Sequence, residues 1–351
     1  MRAYDMYLRR KRLILAVMLL VTIIASLYSV SIGSIRISPG EMWNVFTGGG
    51  DELSRTAIFN IRFPRMLSAV LVGAVLAVAG AVMQCVLRNP LASASTLGVS
   101  QGAAFGAAVG IVAFGGGIIN SGSAASAVTI SNPYIVTFCA FVFGSVSSVV
   151  VIIISRLKRN IGPGGLILAG TALGSLFAGG STLLQYFADD TKLGAIVFWT
   201  FGNLGSTGYN ELLILVIVLV ISMIYFMFNR FNYNAMEGGA DIAKSLGVNT
   251  RSVTLFSMGI CSVISAVAVS FVGIISFIGL VAPHIVRRFT GNDYRYLLPG
   301  SAVAGALLLV LADLVARIVI APVILPIGAL TAFLGAPMFL FLLFKGGKNR
   351  W

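Results

Sequence analysis

The segment from Leu13 to Val30 contains no charged residue, and similar apolar runs recur along the chain, for example from Leu212 to Phe228. A helix of about 20 apolar residues crosses the hydrocarbon core of a bilayer. Only 10% of the 351 residues are charged and 58% are hydrophobic, whereas about a quarter of the residues in a soluble domain carry charge. The chain is therefore predicted to be an integral membrane protein. The runs do not alternate polar and apolar residues over about 10 positions, which favours helices over a barrel.

Hydropathy predicts an all-α protein with ten transmembrane helices. The spans are placed at about 12–33, 63–87, 95–113, 133–155, 164–187, 210–229, 251–270, 273–290, 296–318 and 326–345. An even number of spans puts both termini on one side, and most of the 24 lysines and arginines fall on that side. By the positive-inside rule the protein is N-in and C-in. The basic residues left outside are Arg36, Arg55, Arg62, Arg65, Lys192 and Arg317.

This orientation accounts for most of the net charge of +13, so nucleic acid is not an expected partner. The first span is long and lacks a clear cleavage site, which predicts a retained helix rather than a signal peptide. The sequence has no linker or hydrophilic domain, so residues 1–351 are predicted to form a single membrane domain. Any domain that supplies energy must then belong to another chain.

Three glycines, Gly102, Gly106 and Gly110, recur at four-residue spacing in the third span. Small residues on one helix face let a neighbouring helix approach closely, so we expect a packing role for them. The cysteines Cys85, Cys139 and Cys261 fall in predicted spans without CxxC spacing and are expected to be packing residues.

Motifs in a context that supports catalysis or nucleotide binding are missing. The sequence has no GxxxxGK[ST] or HExxH pattern, and its GxSxG match, GVSQG at 98–102, lies in a predicted span and not between a strand and a helix. Neither catalysis nor ATP binding by this chain is therefore expected. The single histidine, His284, lacks nearby cysteine or carboxylate, and no metal site is predicted. Asp313 and Arg317 are four residues apart and share a helix face. They either pair within the bundle, or Arg317 extends to the outer surface.

The polar stretch from Phe231 to Ser252 interrupts the apolar pattern. Gly238 and Gly239 break the chain, and Asp241 suits the first turn of a helix. The residues Ile242, Ala243 and Leu246 then recur at helical spacing before Gly247. A short helix with a small apolar face is predicted, too short to anchor strongly in lipid and suited to a groove on another protein. A solvated loop is the alternative that these residues alone leave open.

Six segments resemble one known family in their order along the chain. They are IRFPRMLSAVLVGAVLAVAGAVMQCVLRNPLASASTLGVSQGAAFGA, LILAGTALGSL, VFWTFGNLGS, AKSLGVN, FVGIISFIGLVAPHIVRRFTGNDYRYLLPGSAVAGALLLVLADLVAR and LPIGALTAFLGAPMFLFLL. The sequence is similar over about residues 30–345 to the permease subunits of ATP-binding-cassette importers for iron complexes, haem and cobalamin, the group that includes the vitamin B12 permease.

The resemblance implies ten helices per subunit and a set of partners. These are a second permease copy or paralogue, two cytoplasmic ATP-binding-cassette subunits that hold ATP and Mg, and an extracytoplasmic substrate-binding protein. In the family, the loop corresponding to about 231–250 forms coupling helices that sit in a cleft of the ATPase. The resemblance therefore assigns ATPase coupling to Gly238, Gly239, Ile242, Ala243, Leu246 and Gly247.

Two further sites follow from the resemblance. Arg62, Arg65 and Arg317 match arginines that face acidic residues of the binding protein. Asn89, Leu91, Pro163 and Gly164 match the cytoplasmic gate, although IGPGG departs from the polar version in the B12 permease. A gate built of small and apolar residues must close by shape, which suits a bulky chelate.

The predicted function is the permease subunit of an importer in the plasma (inner) membrane of a prokaryote, with no cofactor of its own. An iron(III)-siderophore is the first-choice substrate, followed by haem or cobalamin. A stand-alone secondary transporter or channel is the alternative, but few carboxylates lie inside the spans to form an ion relay. A membrane-embedded enzyme is the second alternative, and it lacks a catalytic constellation.

Overall fold

The computed structural model describes residues 2–33, 39–49, 51–114, 117–119, 128–130, 132–158, 162–321 and 323–346. In chain order, the helices are α1 Arg2–Ser31, α2 Pro39–Phe46, α3 Glu52–Thr56, α4 Phe63–Val86, α5 Val99–Ala113, α6 Pro133–Leu157, α7 Pro163–Phe187, α8 Asp190–Phe201, α9 Tyr209–Phe228, α10 Arg230–Glu237, α11 Ala240–Ser245, α12 Thr250–Val272, α13 Ile278–Thr290, α14 Tyr294–Ile318 and α15 Ile327–Gly346. Short 3-10 turns cover Ala94–Leu97 and Leu204–Ser206. The described strands, β1 Gly117–Ile119 and β2 Val128–Ile130, pair antiparallel with Ile118 opposite Thr129.

Among the described residues, seven helices are long and apolar enough to cross a membrane. They are Asp5–Ser31, Glu52–Val86, Pro133–Leu157, Pro163–Phe187, Tyr209–Phe228, Thr250–Val272 and Tyr294–Ile318. The other predicted spans coincide with α5, α13 and α15, of which α5 and the Ile327–Leu340 part of α15 are apolar but shorter than the seven. The described residues are thus those of a helical, multi-pass membrane protein with a short β-ribbon.

Three helix boundaries differ from the hydropathy prediction. The first helix begins at Arg2, well before the predicted start at about 12. The second span continues backwards to Glu52, because α3 and α4 are joined by a π-helix at Ala57–Arg62. The eighth span begins only at Ile278, because Phe277 takes a left-handed conformation with φ 65° and starts a new helix. The hairpin, α2 and α8 were not predicted, since their sequences are too short to give a hydropathy signal.

The chain divides into two compact units. The first unit contains Met1–Ala81, Leu204–Arg230 and Ser276–Trp351. Here α14 contacts α1, α13 and α9. Glycines allow close helix approach in this unit, because a Cβ at Gly73 would lie 2.3 Å from the Gly305 carbonyl oxygen.

The second unit contains Val82–Asn203 and Phe231–Ile275. In it α5 lies between α6 and α7, and α12 packs on α6. The three glycines of α5 face α6: a Cβ at Gly102 would lie 2.6 Å from the Phe143 carbonyl oxygen, and one at Gly110 would lie 3.0 Å from the Val136 Cα.

Replacing Gly106 with alanine is expected to lower the free energy of unfolding by about 1–3 kcal/mol. The new Cβ would lie 2.3 Å from the Cys139 carbonyl oxygen, so α5 and α6 must separate. Gly259→Ala on α12 is the matched control, because its Cβ would lie 3.6 Å from the Ile152 Cδ1, an ordinary van der Waals contact. Thermal unfolding in lipid measures both, and equal losses in the two variants would contradict the close packing.

Candidate functional site

Two short helices, α10 and α11, form the polar segment between α9 and α12, and glycines set their ends. Gly239 precedes α11 with φ 118°, a conformation that side chains rarely adopt. Gly247 follows α11 with φ 82°, and the Val248 N–H then donates to the Ala243 carbonyl oxygen over 2.9 Å. This closes the helix in the manner of a Schellman cap. The predicted short helix is therefore confirmed, and the loop alternative is wrong.

The predicted apolar face of α11 divides into an inner and an outer part. Ala243 is fully buried, whereas Ile242 is 54% and Leu246 66% exposed. The α11 helix contacts α12 on its inner side. The outer side therefore presents two exposed, branched aliphatic side chains, while the opposite side of the helix packs against the protein.

The α10 helix is anchored by a buried tyrosine. Tyr233 is 0% exposed, and its hydroxyl shares a hydrogen bond of 2.8 Å with Ser257 Oγ on α12. The Cys85 thiol, in the last turn of α4, donates to the Tyr233 carbonyl oxygen over 3.6 Å. The segment is thus fixed to both α12 and the end of α4.

A second cluster centres on Asp313, which is 0% exposed within α14. Arg65 Nε donates to Asp313 Oδ1 over 2.8 Å. Arg317 Nε lies 3.0 Å from Asp313 Oδ2, one helical turn away. Of the two alternatives for Asp313 and Arg317, pairing within the chain is confirmed. Because one carboxylate is shared by two guanidinium groups, the ion pairs leave an excess positive charge.

The arginines also hold the carboxyl end of α1. One nitrogen of Arg62 donates to the Val30 and Ser31 carbonyl oxygens, each over 3.1 Å. Arg317 donates to the Ser29 and Ile32 carbonyl oxygens over 3.0 and 2.8 Å, and also to Ser29 Oγ. The last carbonyls of a helix have no partner within it and carry partial negative charge. The guanidinium groups supply both hydrogen bonds and opposite charge.

These contacts leave little of each arginine exposed. Arg62 is 7% exposed, and the side chains of Arg65 and Arg317 are 11% and 9% exposed. The sequence suggested outward-facing charges, but it gave no sign that the α1 carbonyls would bind them. Docking of a binding protein at these residues stays a prediction.

The predicted gate residues lie in the second unit on two separate stretches. Asn89 Oδ1 accepts the Leu91 N–H over 2.8 Å, which shapes the turn after α4, and Leu91 is 41% exposed. Arg88, just before it, has φ 46°. Pro163 and Gly164 begin α7 and are exposed. Their role as a gate stays a prediction.

The described residues contain no group of three histidine, cysteine or carboxylate side chains placed to hold a metal ion. His284 Nδ1 lies 2.8 Å from the Leu280 carbonyl oxygen, and its ring lies edge-on to Phe339. Those contacts suit a packed residue of α13.

A family model described as the FecCD transport family matches residues 19–345. The chain belongs to this family. The resemblance drawn from the six segments, to permease subunits of importers for iron complexes, haem and cobalamin, is therefore confirmed.

Relatives match this FecCD chain over nearly its whole length. A Methanocaldococcus jannaschii protein named as an ABC transporter permease is 47% identical over 99% of this chain and 98% of its own. The hemin transport permease HmuU of Yersinia pestis is 35% identical over 97% of each chain. The vitamin B12 import permease BtuC of Escherichia coli is 36% identical over 93% of each chain.

A solved structure supports the fold. It is described as an inward-facing metal-chelate type ABC transporter, and it matches with a TM-score of 0.81 at 30% identity, over 95% of this chain and 99% of that one. The FecCD chain is therefore a multi-pass membrane permease of the ABC type.

Proposed function

We propose that this chain is the permease subunit of an ATP-driven importer that carries a bulky metal chelate into a prokaryotic cell. It forms one membrane domain with ten spans and both termini in the cytoplasm. The subunit catalyses no reaction itself, and ATP and Mg are bound by two cytoplasmic partner chains. The observation that carries this proposal is the glycine-bounded helix α11, which presents Ile242 and Leu246 outward in a chain whose relatives are permeases.

The ATPase binds the outer side of α11. Apolar side chains on a short helix are suited to a groove in another protein, because they contribute binding energy only when a partner covers them. Gly238 and Gly239 let the chain change direction between α10 and α11, and Gly247 ends α11. The three glycines therefore set the orientation of the helix that carries the two exposed aliphatic side chains. Buried Ala243 holds the helix to the permease.

The binding protein docks at the arginine cluster. Arg65 and Arg317 share the single carboxylate of Asp313, so their excess charge favours carboxylates on an approaching partner. Since most of each guanidinium is already covered, the partner would reach only its exposed edge. Such pairs contribute roughly 0–1 kcal/mol each, and so they orient the partner and speed encounter more than they add affinity.

A second permease copy or paralogue completes the pathway beside α7. Thr171, Ser175, Gly179 and Thr182 are exposed and recur along one side of this helix. The three hydroxyl groups donate to carbonyl oxygens of α7 itself. Small residues with satisfied hydroxyls suit a neighbouring helix or a wide pathway that binds its cargo weakly. Asn89, Leu91, Pro163 and Gly164 close that pathway on the cytoplasmic side.

An iron(III)-siderophore is the first substrate candidate, since relatives are named as Fe(3+)-citrate and iron(3+)-hydroxamate permeases. Haem and cobalamin follow, since other relatives are named as hemin and vitamin B12 permeases. A stand-alone secondary transporter or channel is less well supported. Its relay would need a carboxylate free to exchange ions, whereas Asp313 is held by two arginines. For a membrane-embedded enzyme, the described residues offer no group of three histidine, cysteine or carboxylate side chains that could hold a catalytic metal ion.

The proposal is tested by measuring chelate uptake into proteoliposomes from which one component at a time is left out. The permease, its ATPase and the binding protein are reconstituted together, and labelled ferric siderophore, haem or cobalamin is supplied with internal ATP and Mg. We expect uptake of one chelate, with uptake falling to background when any of the three proteins or the ATP is left out. Uptake by the permease alone, driven by a proton or sodium gradient, would contradict the proposal and support the secondary transporter.

A further inference from the structure

Tyr233 connects three parts of the second unit. Tyr233 belongs to α10, and its side chain is fully buried. Its hydroxyl shares a hydrogen bond with Ser257 on α12, and its carbonyl oxygen accepts a hydrogen bond from the Cys85 thiol on α4. Ser257 is also fully buried. A hydrogen bond shielded from water in this way holds its partners in one geometry better than an exposed one does.

The last turn of α4 joins Cys85 to the turn that contains Asn89 and Leu91. The Arg88 N–H donates to the Cys85 carbonyl oxygen over 3.0 Å, and the Asn89 N–H donates to the Gln84 carbonyl oxygen over 3.2 Å. Asn89 Oδ1 then accepts the Leu91 N–H. A displacement applied at Cys85 therefore carries the whole turn with it.

We propose that Tyr233 is a positioning residue that transmits the movement of α11 to α12 and to the Asn89 turn. This inference rests on the proposed function, in which the ATPase pulls or releases α11. The contact between α11 and α12 passes part of the movement directly to α12. Tyr233 makes α10 move with α12 and with the end of α4, so that a movement of α11 that reaches α10 through Gly238 and Gly239 is passed on to both elements.

A double-mutant cycle tests the proposal. Tyr233→Phe removes the hydroxyl and keeps the buried ring, and Ser257→Ala removes its partner. Each variant is reconstituted with the ATPase and binding protein, and the chelate transported per ATP hydrolysed is measured alongside assembly of the complex. Tyr294→Phe is the control, because Tyr294 is also 0% exposed and its hydroxyl donates to a backbone carbonyl oxygen, that of Ala81, within the first unit.

We expect each single variant to assemble normally and to transport about 2- to 10-fold less chelate per ATP, within the range set by loss of one hydrogen bond. The double variant should resemble either single one, because the two changes remove the same bond. The control should match the wild type. A merely stabilising role would lower thermal stability and leave the ratio of transport to hydrolysis unchanged, and that result would overturn the proposal.

The outcomes also separate this inference from the proposed function. If the wild-type chain assembles with an ATPase and couples transport to hydrolysis while Tyr233→Phe couples equally well, only the role of Tyr233 is wrong. If the wild-type chain binds no ATPase and transports without ATP, the proposed function itself is wrong. Additive losses in the double variant would show that the two residues act separately, which also contradicts the inference.

Discussion

Replacing Ile242 and Leu246 together with glutamate is expected to abolish ATP-driven uptake and to weaken binding of the ATPase at least tenfold. Full burial of one aliphatic side chain of this size contributes about 1.5–3 kcal/mol, and a charged group placed in an apolar groove costs more than that gain. Because the two side chains are 54% and 66% exposed in the chain alone, the permease itself should fold as before.

Co-purification of the ATPase with the permease measures this effect, and thermal unfolding of the permease checks its fold. Met6→Glu is the matched control, since Met6 is 65% exposed and lies outside the segment. It should leave both binding and uptake unchanged. Normal ATPase binding by the double variant would remove α11 from the interface.

Replacing Asp313 with asparagine is expected to lower the free energy of unfolding by about 3–5 kcal/mol. The change removes the shared carboxylate and leaves the guanidinium groups of Arg65 and Arg317, 11% and 9% exposed, beside each other without compensation. Loosening Arg317 also weakens its hold on the last carbonyls of α1. The effect should therefore extend to the end of that helix.

Unfolding of the purified variant in lipid measures this loss. Asp241→Asn is the matched control, because the Asp241 side chain is fully exposed and lies 3.8 Å from Lys244. An exposed pair contributes about 0–1 kcal/mol. Adding Arg65→Met to Asp313→Asn should recover part of the loss, since it removes one uncompensated charge. Wild-type stability in Asp313→Asn would show that the cluster is not the buried network described above.

The burial of this cluster changes how docking must be tested. Charge reversal at Arg65 would disturb Asp313 as well as any surface presented to a binding protein. A loss of docking in such a variant is therefore evidence that Arg65 contacts the binding protein only when the variant unfolds at the same temperature as the wild type. Salt dependence of docking by the wild-type protein avoids this problem, since salt screens exposed charge pairs much more than buried ones.

Features that depend on neighbouring residues were predictable from the sequence. Long apolar runs gave the main helices, and the glycines at 238, 239 and 247 gave α11 and its ends. The exposure of Ile242 and Leu246 likewise follows from residues close to them in the sequence. A helix this short can bury only one side against its own chain, and Ala243 occupies that side.

Features that depend on distant residues were not predictable. Arg62 binds carbonyl oxygens of α1, and Arg317 binds Ser29 and Ile32 from the other end of the chain. Backbone carbonyls have no sequence signature, so the outward charges suggested by hydropathy gave no hint of this role. Tyr233 was missed for the same reason, since its partners Ser257 and Cys85 lie on other helices.

The central claim is that this permease couples a separate ATPase to import through the segment 231–250. The most direct measurement is the ATPase activity of the reconstituted complex as each candidate-loaded binding protein is added in turn. We predict that one loaded form stimulates hydrolysis in the wild-type complex and not in the Ile242→Glu, Leu246→Glu variant. Failure of the chain to form a stable complex with any ATPase, or stimulation that survives in the variant, would contradict the account.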